Sequence, residues 1–257
     1  MRHAYSDRQN LGDPAFVTNP VARLTDPAYA AEIRKDTPTD HATASAGLVP
    51  LDPKPAEKAE TTHFSIIDRQ GGAVSMTYTL NGWFGAKVVA GRTGVMMNDE
   101  MDDFATKPGS PNMYGLVGSK ANAVAPGKTP LSSMSPTILS RNGKVVMVIG
   151  SPGGSRIPTI TLEAILGVVD GGLDIAQAVN MPRIHEQWMP MPIEAEAGAL
   201  SPDVTAALTR MGYQIKTHEN WGSAEGILVG GPSLARPEAG YWGGLDLRHP
   251  GGAAIGE

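Results

Sequence analysis

From residue 61 onward, apolar and polar positions alternate in two short runs, 62–68 (THFSIID) and 73–81 (AVSMTYTLN), separated by Arg69-Gln70-Gly71-Gly72. Alternation with period two marks strands, and glycines able to take φ > 0 mark a tight connection, so the pair predicts an antiparallel hairpin. The run 144–149 (KVVMVI) does not alternate. A short continuous apolar run of this kind predicts a strand buried on both faces. It leads into Gly150-Ser151-Pro152-Gly153-Gly154-Ser155, after which Ile160, Leu162, Ile165, Leu166 and Val169 recur at helical spacing until Gly171-Gly172. The order is strand, tight glycine loop, helix. Further helices are predicted over 175–180 and 202–211, the latter with Ser201 as N-cap, followed by a short strand over 226–229.

Residues 1–60 read differently. Alternation is weak and Pro, Asp, Lys and Ala are frequent. Asp26-Pro27 opens a short helix over 26–33, and 37–58 reads as an exposed linker, mobile and open to proteases. The change in pattern places a boundary at Thr61, dividing the chain into 1–60 and 61–257. From pattern alone the class is α/β with antiparallel strands.

Composition narrows the function classes. With 257 residues, 41% hydrophobic and 18% charged, the chain has enough apolar material for one large core or two modest ones. A net charge of -5 with scattered Lys and Arg offers no cationic surface for nucleic acid or anionic lipid. The absence of cysteine excludes disulfides, thiolate nucleophiles and Cys-based metal sites, and is compatible with either redox compartment. The first residues lack the apolar core of a signal peptide, and no apolar stretch is long enough to span a bilayer. No cofactor and no metal are expected.

The junction Glu60-Thr61-Thr62-His63 is where chemistry enters. A threonine hydroxyl inside a chain is a poor nucleophile. At a free N-terminus it carries its own base, because an α-amine has a pKa of roughly 7.7 to 8, close to working pH. Cleavage at Glu60-Thr61 would create that base at the start of the first core strand. By residue type alone, a Thr pair at a strand start is usually a structural feature.

Four blocks, in order, resemble the γ-glutamyltransferase family of N-terminal nucleophile hydrolases: 61–68 with 73–81, MNDEMDDF at 97–104, PLSSMSPTI at 130–138 and GSPGGSRI at 150–157. Ala4-Tyr5-Ser6-Asp7-Arg8 and LGDPAFV at 11–17 resemble the end of the family's large subunit, and GGLDLRHPGGAAIG its closing segment, so the resemblance covers essentially the whole chain. It implies an αββα four-layer sandwich of α+β type, here incomplete on its N-terminal side. It also implies γ-glutamyl transfer or hydrolysis from glutathione-like amides after autocatalytic cleavage of a zymogen at Glu60-Thr61.

The same resemblance implies roles. Thr61 is the nucleophile, Thr79 orients its hydroxyl, and the Gly153 and Gly154 amides form the oxyanion hole. Asn81, Glu100 and Asp103 hold the substrate's α-ammonium, and Ser132 and Ser133 its α-carboxylate. The segment 107–117 is a lid with Tyr114 closing over the pocket. Chemically these are sensible partners: an ammonium suits carboxylates, a carboxylate suits hydroxyl donors, and glycine amides approach an oxyanion closely. Without the resemblance, the glycine loop reads as a plain turn rather than a nucleotide site, since it lacks the Lys-Ser/Thr ending of a P-loop, and 98–103 reads as a solvated acidic loop. Trp83 reads as an acceptor platform or as packing.

Family precursors are about twice this length, and their N-terminal half supplies an arginine for the α-carboxylate. The partners implied are a γ-glutamyl donor, an amino acid, peptide or water acceptor, and that missing half. The resemblance suggests a periplasmic or secreted location in bacteria. Two further readings stay open: a related glutaryl or polyglutamyl acylase, and a non-catalytic fragment. A half sandwich is also expected to leave apolar faces uncovered.

Overall fold

The computed structural model describes residues 1–43, 59–189 and 192–256, and only the backbone of Ala59 and Glu60. In chain order the elements are α1 (Arg2–Arg8), α2 (Val21–Leu24), α3 (Pro27–Asp36), β1 (Ala59–Ile67), β2 (Ala73–Gly82), β3 (Thr137–Arg141), β4 (Lys144–Gly150), α4 (Ile157–Val169), α5 (Ile175–Asn180), β5 (Ile184–His185), β6 (Ile193–Glu196), α6 (Pro202–Arg210), β7 (Ile215–His218), β8 (Glu225–Val229) and β9 (Tyr241–Gly244). Most of the predicted linker, from residue 44 to 58, lies outside the described residues. Two compact units interleave along the chain. Met1–Glu57, Glu100–Ser132 and Ile184–His218 form one, and Lys58–Asp99, Ser133–Arg183 and Glu219–Glu257 form the other.

The second unit is layered. β3, β4, β8 and β9 make an antiparallel four-stranded sheet, with α4 and α5 on one face and the β1–β2 hairpin on the other. This explains why the β4 sequence is apolar without alternation: Met147, Val148 and Ile149 are buried because both faces of their strand are covered. On the helix side, Met147, Ile149 and Leu228 join Ile160, Ala164, Val168, Ile175, Val179 and Trp221 in one core. Full burial of an aliphatic side chain of this size is worth roughly 1.5–3 kcal/mol.

The hairpin turns as its glycines predict. Gly71 takes φ 84, and the Asp68 carboxylate accepts hydrogen bonds from the Gln70 and Gly72 amides at 2.9 and 2.7 Å. Its two faces are chemically opposite. Thr61, His63 and Ser65, with Thr79, Thr77 and Ser75 across the ladder, form the inner, less accessible row, and Ser75 Oγ donates to the β4 carbonyl of Ile149 at 3.0 Å. Phe64, Ile66, Val74, Met76 and Tyr78 form the outer row and are exposed. Three layers, α-β-β, are therefore present in this unit, and the apolar outer face of the hairpin is exposed among the described residues.

In the first unit, β5 pairs antiparallel with β6, and β6 pairs parallel with β7. Tyr5 of α1 meets the His185 ring edge-on, with centroids 5.6 Å apart, and packs with Trp188 and Met189. α3 starts as Asp26-Pro27 predicts, the Asp26 carboxylate accepting from the Ala28 amide at 2.8 Å. Ser201 stands at the N-cap position of α6 but does not cap with its side chain. Its hydroxyl donates to Asp203 Oδ1 at 2.5 Å, a stronger acceptor than water for a group beside the first turn. Among the described residues no helix is long and apolar enough to cross a membrane.

Candidate active site

Of the residues singled out in sequence, Thr61, Thr79, Asn81, Ser133, Gly153 and Gly154 lie in the hairpin unit, and Glu100, Asp103, Tyr114 and Ser132 in the other. Thr61 and Thr79 face each other across the ladder with their hydroxyl oxygens 3.0 Å apart. Glu60 opposes Asn81 and Thr61 opposes Thr79, so Leu80 is the extra residue of a β-bulge at the Glu60–Thr61 junction. The Asn81 amide donates to Thr79 Oγ1 at 2.9 Å. Thr79 thus accepts from the Asn81 amide and shares a second hydrogen bond with Thr61, in which either hydroxyl can donate. Asn81 itself is buried with φ 74, and its Nδ2 donates to the Asp99 carbonyl at 3.3 Å. Its oxygen is the atom suited to an ammonium.

Two residues below the threonine, His63 is buried on the same inner face. Its Nε2 lies 3.1 Å from Ser65 Oγ and its Nδ1 2.9 Å from Thr77 Oγ1. Ser65 directs its single proton to the Glu225 carbonyl at 3.0 Å, so it accepts from His63. The proton of the neutral ring is therefore on Nε2, and Nδ1 accepts from Thr77. Burial lowers the imidazole pKa from 6.5 to about 4. The unfolded chain takes up a proton below about pH 6.5 and the folded chain resists it until about pH 4, so this contribution to stability is lost as pH falls through that window. Urea unfolding of the chain and of His63→Gln is expected to differ in slope there, by roughly 2–3 kcal/mol between pH 7 and 4. Parallel profiles would contradict the assignment.

The glycine loop lies beside the same strand. A Cβ on Gly150 would sit 2.2 Å from His63 Cε1, so glycine there makes room for the imidazole. Gly153 and Gly154 take φ 143 and 58, which side-chain-bearing residues rarely adopt. The turn Gly154–Arg156 that follows lies against β1 and opens α4. Ser133 O accepts from Ser135 Oγ at 3.0 Å just before β3. Trp83 is 44% exposed, its ring tilted against that of Phe84 with centroids 6.0 Å apart.

In the other unit, Glu100–Asp103 forms one short 3-10 turn. Buried Asn122 donates from Nδ2 to the Asp103 carbonyl at 2.7 Å. Arg8, pushed down from its ordinary pKa chiefly by burial and up by Tyr5 and Asp103, donates to the Leu131 carbonyl at 3.4 Å. The 107–117 segment is pinned within the unit. Asn112 Oδ1 accepts from the Tyr114 and Leu116 amides at 3.0 Å each, Gln187 Nε2 donates to Tyr114 O at 2.9 Å, and the Met113 amide donates to Asp102 Oδ2 at 3.1 Å. His63, Asp99 and Arg8 fall inside the blocks quoted above, which give them no role of their own, and Asn122 lies in none of them. The groups they meet are visible only in three dimensions.

A mixed α/β unit in which a two-faced hairpin begins with a hydroxyl pair and abuts a glycine loop has the organisation of an N-terminal nucleophile hydrolase, an α+β fold. The sequence model for γ-glutamyltranspeptidase matches residues 1–256. The glutathione hydrolase proenzymes of Pseudomonas sp. (strain A14) and Escherichia coli (strain K12) are 51% and 46% identical, over 100% and 96% of this chain and 45% and 42% of their own lengths. A solved γ-glutamyltranspeptidase variant from Helicobacter pylori superposes with a TM-score of 0.68 at 47% identity, covering 73% of this chain and 100% of its own. The chain belongs to the γ-glutamyltranspeptidase family, and it spans less than half the length of these curated relatives.

Proposed function

We propose that this chain carries the nucleophile of a γ-glutamyl amide hydrolase or transferase acting on glutathione-like donors. The observation that carries the reading is the Thr61–Thr79 hydroxyl pair at the bulged start of the hairpin, in a chain of this family. Cleavage at Glu60-Thr61 frees the α-amine of Thr61. That amine takes the Thr61 hydroxyl proton as Oγ1 attacks the γ-carbonyl carbon, while Thr79 donates to the same oxygen. The Gly153 and Gly154 amides meet the oxyanion. The proton passes to the departing amine, the C–N bond breaks, and a Thr61 ester remains. Water or an acceptor amine then attacks the ester and restores the hydroxyl.

In this reading Asp103 and Glu100 hold the donor's ammonium with Asn81, and Ser132 and Ser133 hold its carboxylate. Tyr114 belongs to the covering lid. A donor with both charged groups fits this set better than a glutaryl group, which has no ammonium. The uncovered face of Phe64, Ile66, Val74, Met76 and Tyr78 supports a need for an N-terminal segment of the kind the relatives carry. Intact mass measurement of the chain expressed with such a segment tests the proposal. The expected result is a new N-terminus at Thr61 together with release of glutamate from glutathione. An uncut Glu60–Thr61 bond without hydrolysis would favour the non-catalytic reading.

A further inference from the structure

An α-amino acid presents its ammonium and carboxylate at a fixed separation, because both are attached to one carbon. A clamp that recognises such a head group therefore needs its ammonium-binding and carboxylate-binding parts held at a fixed spacing. Within the first unit the two parts proposed above come from separate stretches: Asp103 ends a 3-10 turn, and Ser132 follows Leu131 in an irregular segment. Neither belongs to a strand or helix that would fix the distance between them.

One buried side chain connects the two stretches. Asn122, 5% exposed, ends the short turn Lys120–Asn122, which Ser119 caps by accepting from the Ala121 amide at 3.2 Å. Its Nδ2 donates to the carbonyl of Asp103 itself at 2.7 Å, and its Oδ1 accepts from the amide of Leu131, the residue before Ser132, at 3.1 Å. Its own carbonyl accepts from the Ala105 amide at 2.8 Å, fixing the chain just beyond Asp103. The separation of the two backbone groups is thus set by the covalent geometry of a single amide. Arg8 repeats the link from another side, its charge attracted to Asp103 while Nη2 donates to Leu131 O at 3.4 Å. The gap bordered by Arg8, Asp103, Asn122 and Leu131 measures about 20 Å³, room for about one water, so it is no substrate pocket and the four groups form a support.

We propose that Asn122, with Arg8 beside it, is a positioning residue that sets the spacing of the head-group clamp and so makes the enzyme selective for donors carrying both an α-ammonium and an α-carboxylate. Asn122 touches no substrate. It acts through Asp103 and Leu131, and mispositioning of a binding group by a fraction of an ångström weakens recognition strongly. The inference rests on the γ-glutamyl reading above.

Three anilides distinguish the possibilities: γ-glutamyl, with both charged groups; glutaryl, with the carboxylate alone; and 4-aminobutyryl, with the ammonium alone. They are compared on the processed full-length protein and on Asn122→Asp, which keeps the acceptor for Leu131 and loses the donor to Asp103. The expected result is a rise in KM for the γ-glutamyl anilide of about tenfold or more with kcat changed only a few-fold, and single-group anilides nearly unaffected. The preference for the two-group donor then collapses. A proportional fall on all three donors would mean a general structural role and overturn the proposal. Where Asn122→Asp is not processed, Arg8→Lys, which keeps the charge facing Asp103 and loses the planar fork on Leu131, is measured for the same ratio, and an unchanged ratio there overturns it equally. Failure of the unsubstituted protein to hydrolyse the γ-glutamyl anilide is a separate outcome that removes the underlying functional reading.

Discussion

Replacing Thr61 by Ala is expected to abolish both the cut at Glu60-Thr61 and γ-glutamyl turnover, the latter on the order of 10⁴-fold or more. One oxygen is assigned both reactions. In the proposed reaction it attacks the Glu60 carbonyl during maturation and the donor's γ-carbonyl afterwards, and no other described hydroxyl on the inner face is equivalently placed. Thr79 pairs with it and accepts from the Asn81 amide, and Thr77 is engaged by His63. The bulge places the extra residue at Leu80, opposite the scissile junction, so the regular ladder is interrupted where the bond is to be broken. Thr61→Ser keeps the oxygen and is expected to mature and turn over, more slowly, because the lost methyl group leaves χ1 less restricted. Gel analysis of maturation and a donor assay on the two variants give the comparison. Normal maturation in Thr61→Ala would remove Thr61 as the self-processing nucleophile, whatever its place in the hairpin.

The parts of this structure legible in the sequence are those where one physical demand dominates. KVVMVI has a single solution, a strand covered on both faces, and β4 is that strand. The hairpin is announced by its turn, since only Gly71 has the freedom that φ 84 asks for. α5 is bounded by a capping box between Asp174 and Gln177 and runs over the predicted residues. Alternation in the hairpin gave the strands but not their orientation. Taken alone it would turn Phe64, Ile66, Val74 and Met76 inward, whereas the buried row is Thr61, His63 and Ser65. The inner face is polar because it bonds to carbonyls of the facing sheet, and the outer apolar face is exposed among the described residues.

What escaped pattern reading is short or indirect. β5 has only two residues, and β6 and β7 pair in parallel across intervening sequence, so no local signal announces them. α1 is short and mostly polar, and it is held by Tyr5 packing and by Arg2 and Arg8 reaching Glu186 and Leu131. For the site, the family motifs supply Thr61, Thr79, Gly153 and Gly154 as candidates. His63, Asn122 and Arg8 emerge only once three dimensions show which carbonyl or hydroxyl each one meets.

A second large effect is expected at Asp246. Arg183 and Asp246 are fully buried and paired through Arg183 Nη2 and Asp246 Oδ2. Burial alone would raise the Asp246 carboxyl, but the Arg183 guanidinium, together with the Arg248 and Ala224 amides, holds it below the ordinary carboxylate range. The pair is surrounded by further bonds. Arg183 donates to the carbonyls of Trp221 and Val179 at 2.7 Å each, and the Ala224 amide donates to Asp246 Oδ2 at 2.7 Å. The pair thereby fixes both ends of the turn from Trp221 to Ala224. Inside that turn the Ser223 amide donates to Ser151 Oγ at 3.2 Å, and a Cβ on Gly222 would sit 2.8 Å from the Pro152 carbonyl, so the turn braces the start of the glycine loop. Asp246→Ala leaves Arg183 charged and buried without its partner, and is expected to cost about 3–5 kcal/mol of stability. Arg183→Met with Asp246→Leu removes this pair and is expected to cost clearly less, though it frees the Trp221 and Ala224 backbone groups and takes from Arg248 its 3.0 Å bond to Asp246 Oδ1, leaving that guanidinium to the Val179 and Met181 carbonyls. Urea denaturation of the three proteins provides the measurement. Equal losses in the single and double variants would show that the bonds of Asp246 to the turn and to Arg248, rather than the unpaired Arg183 charge, are what the pair supplies.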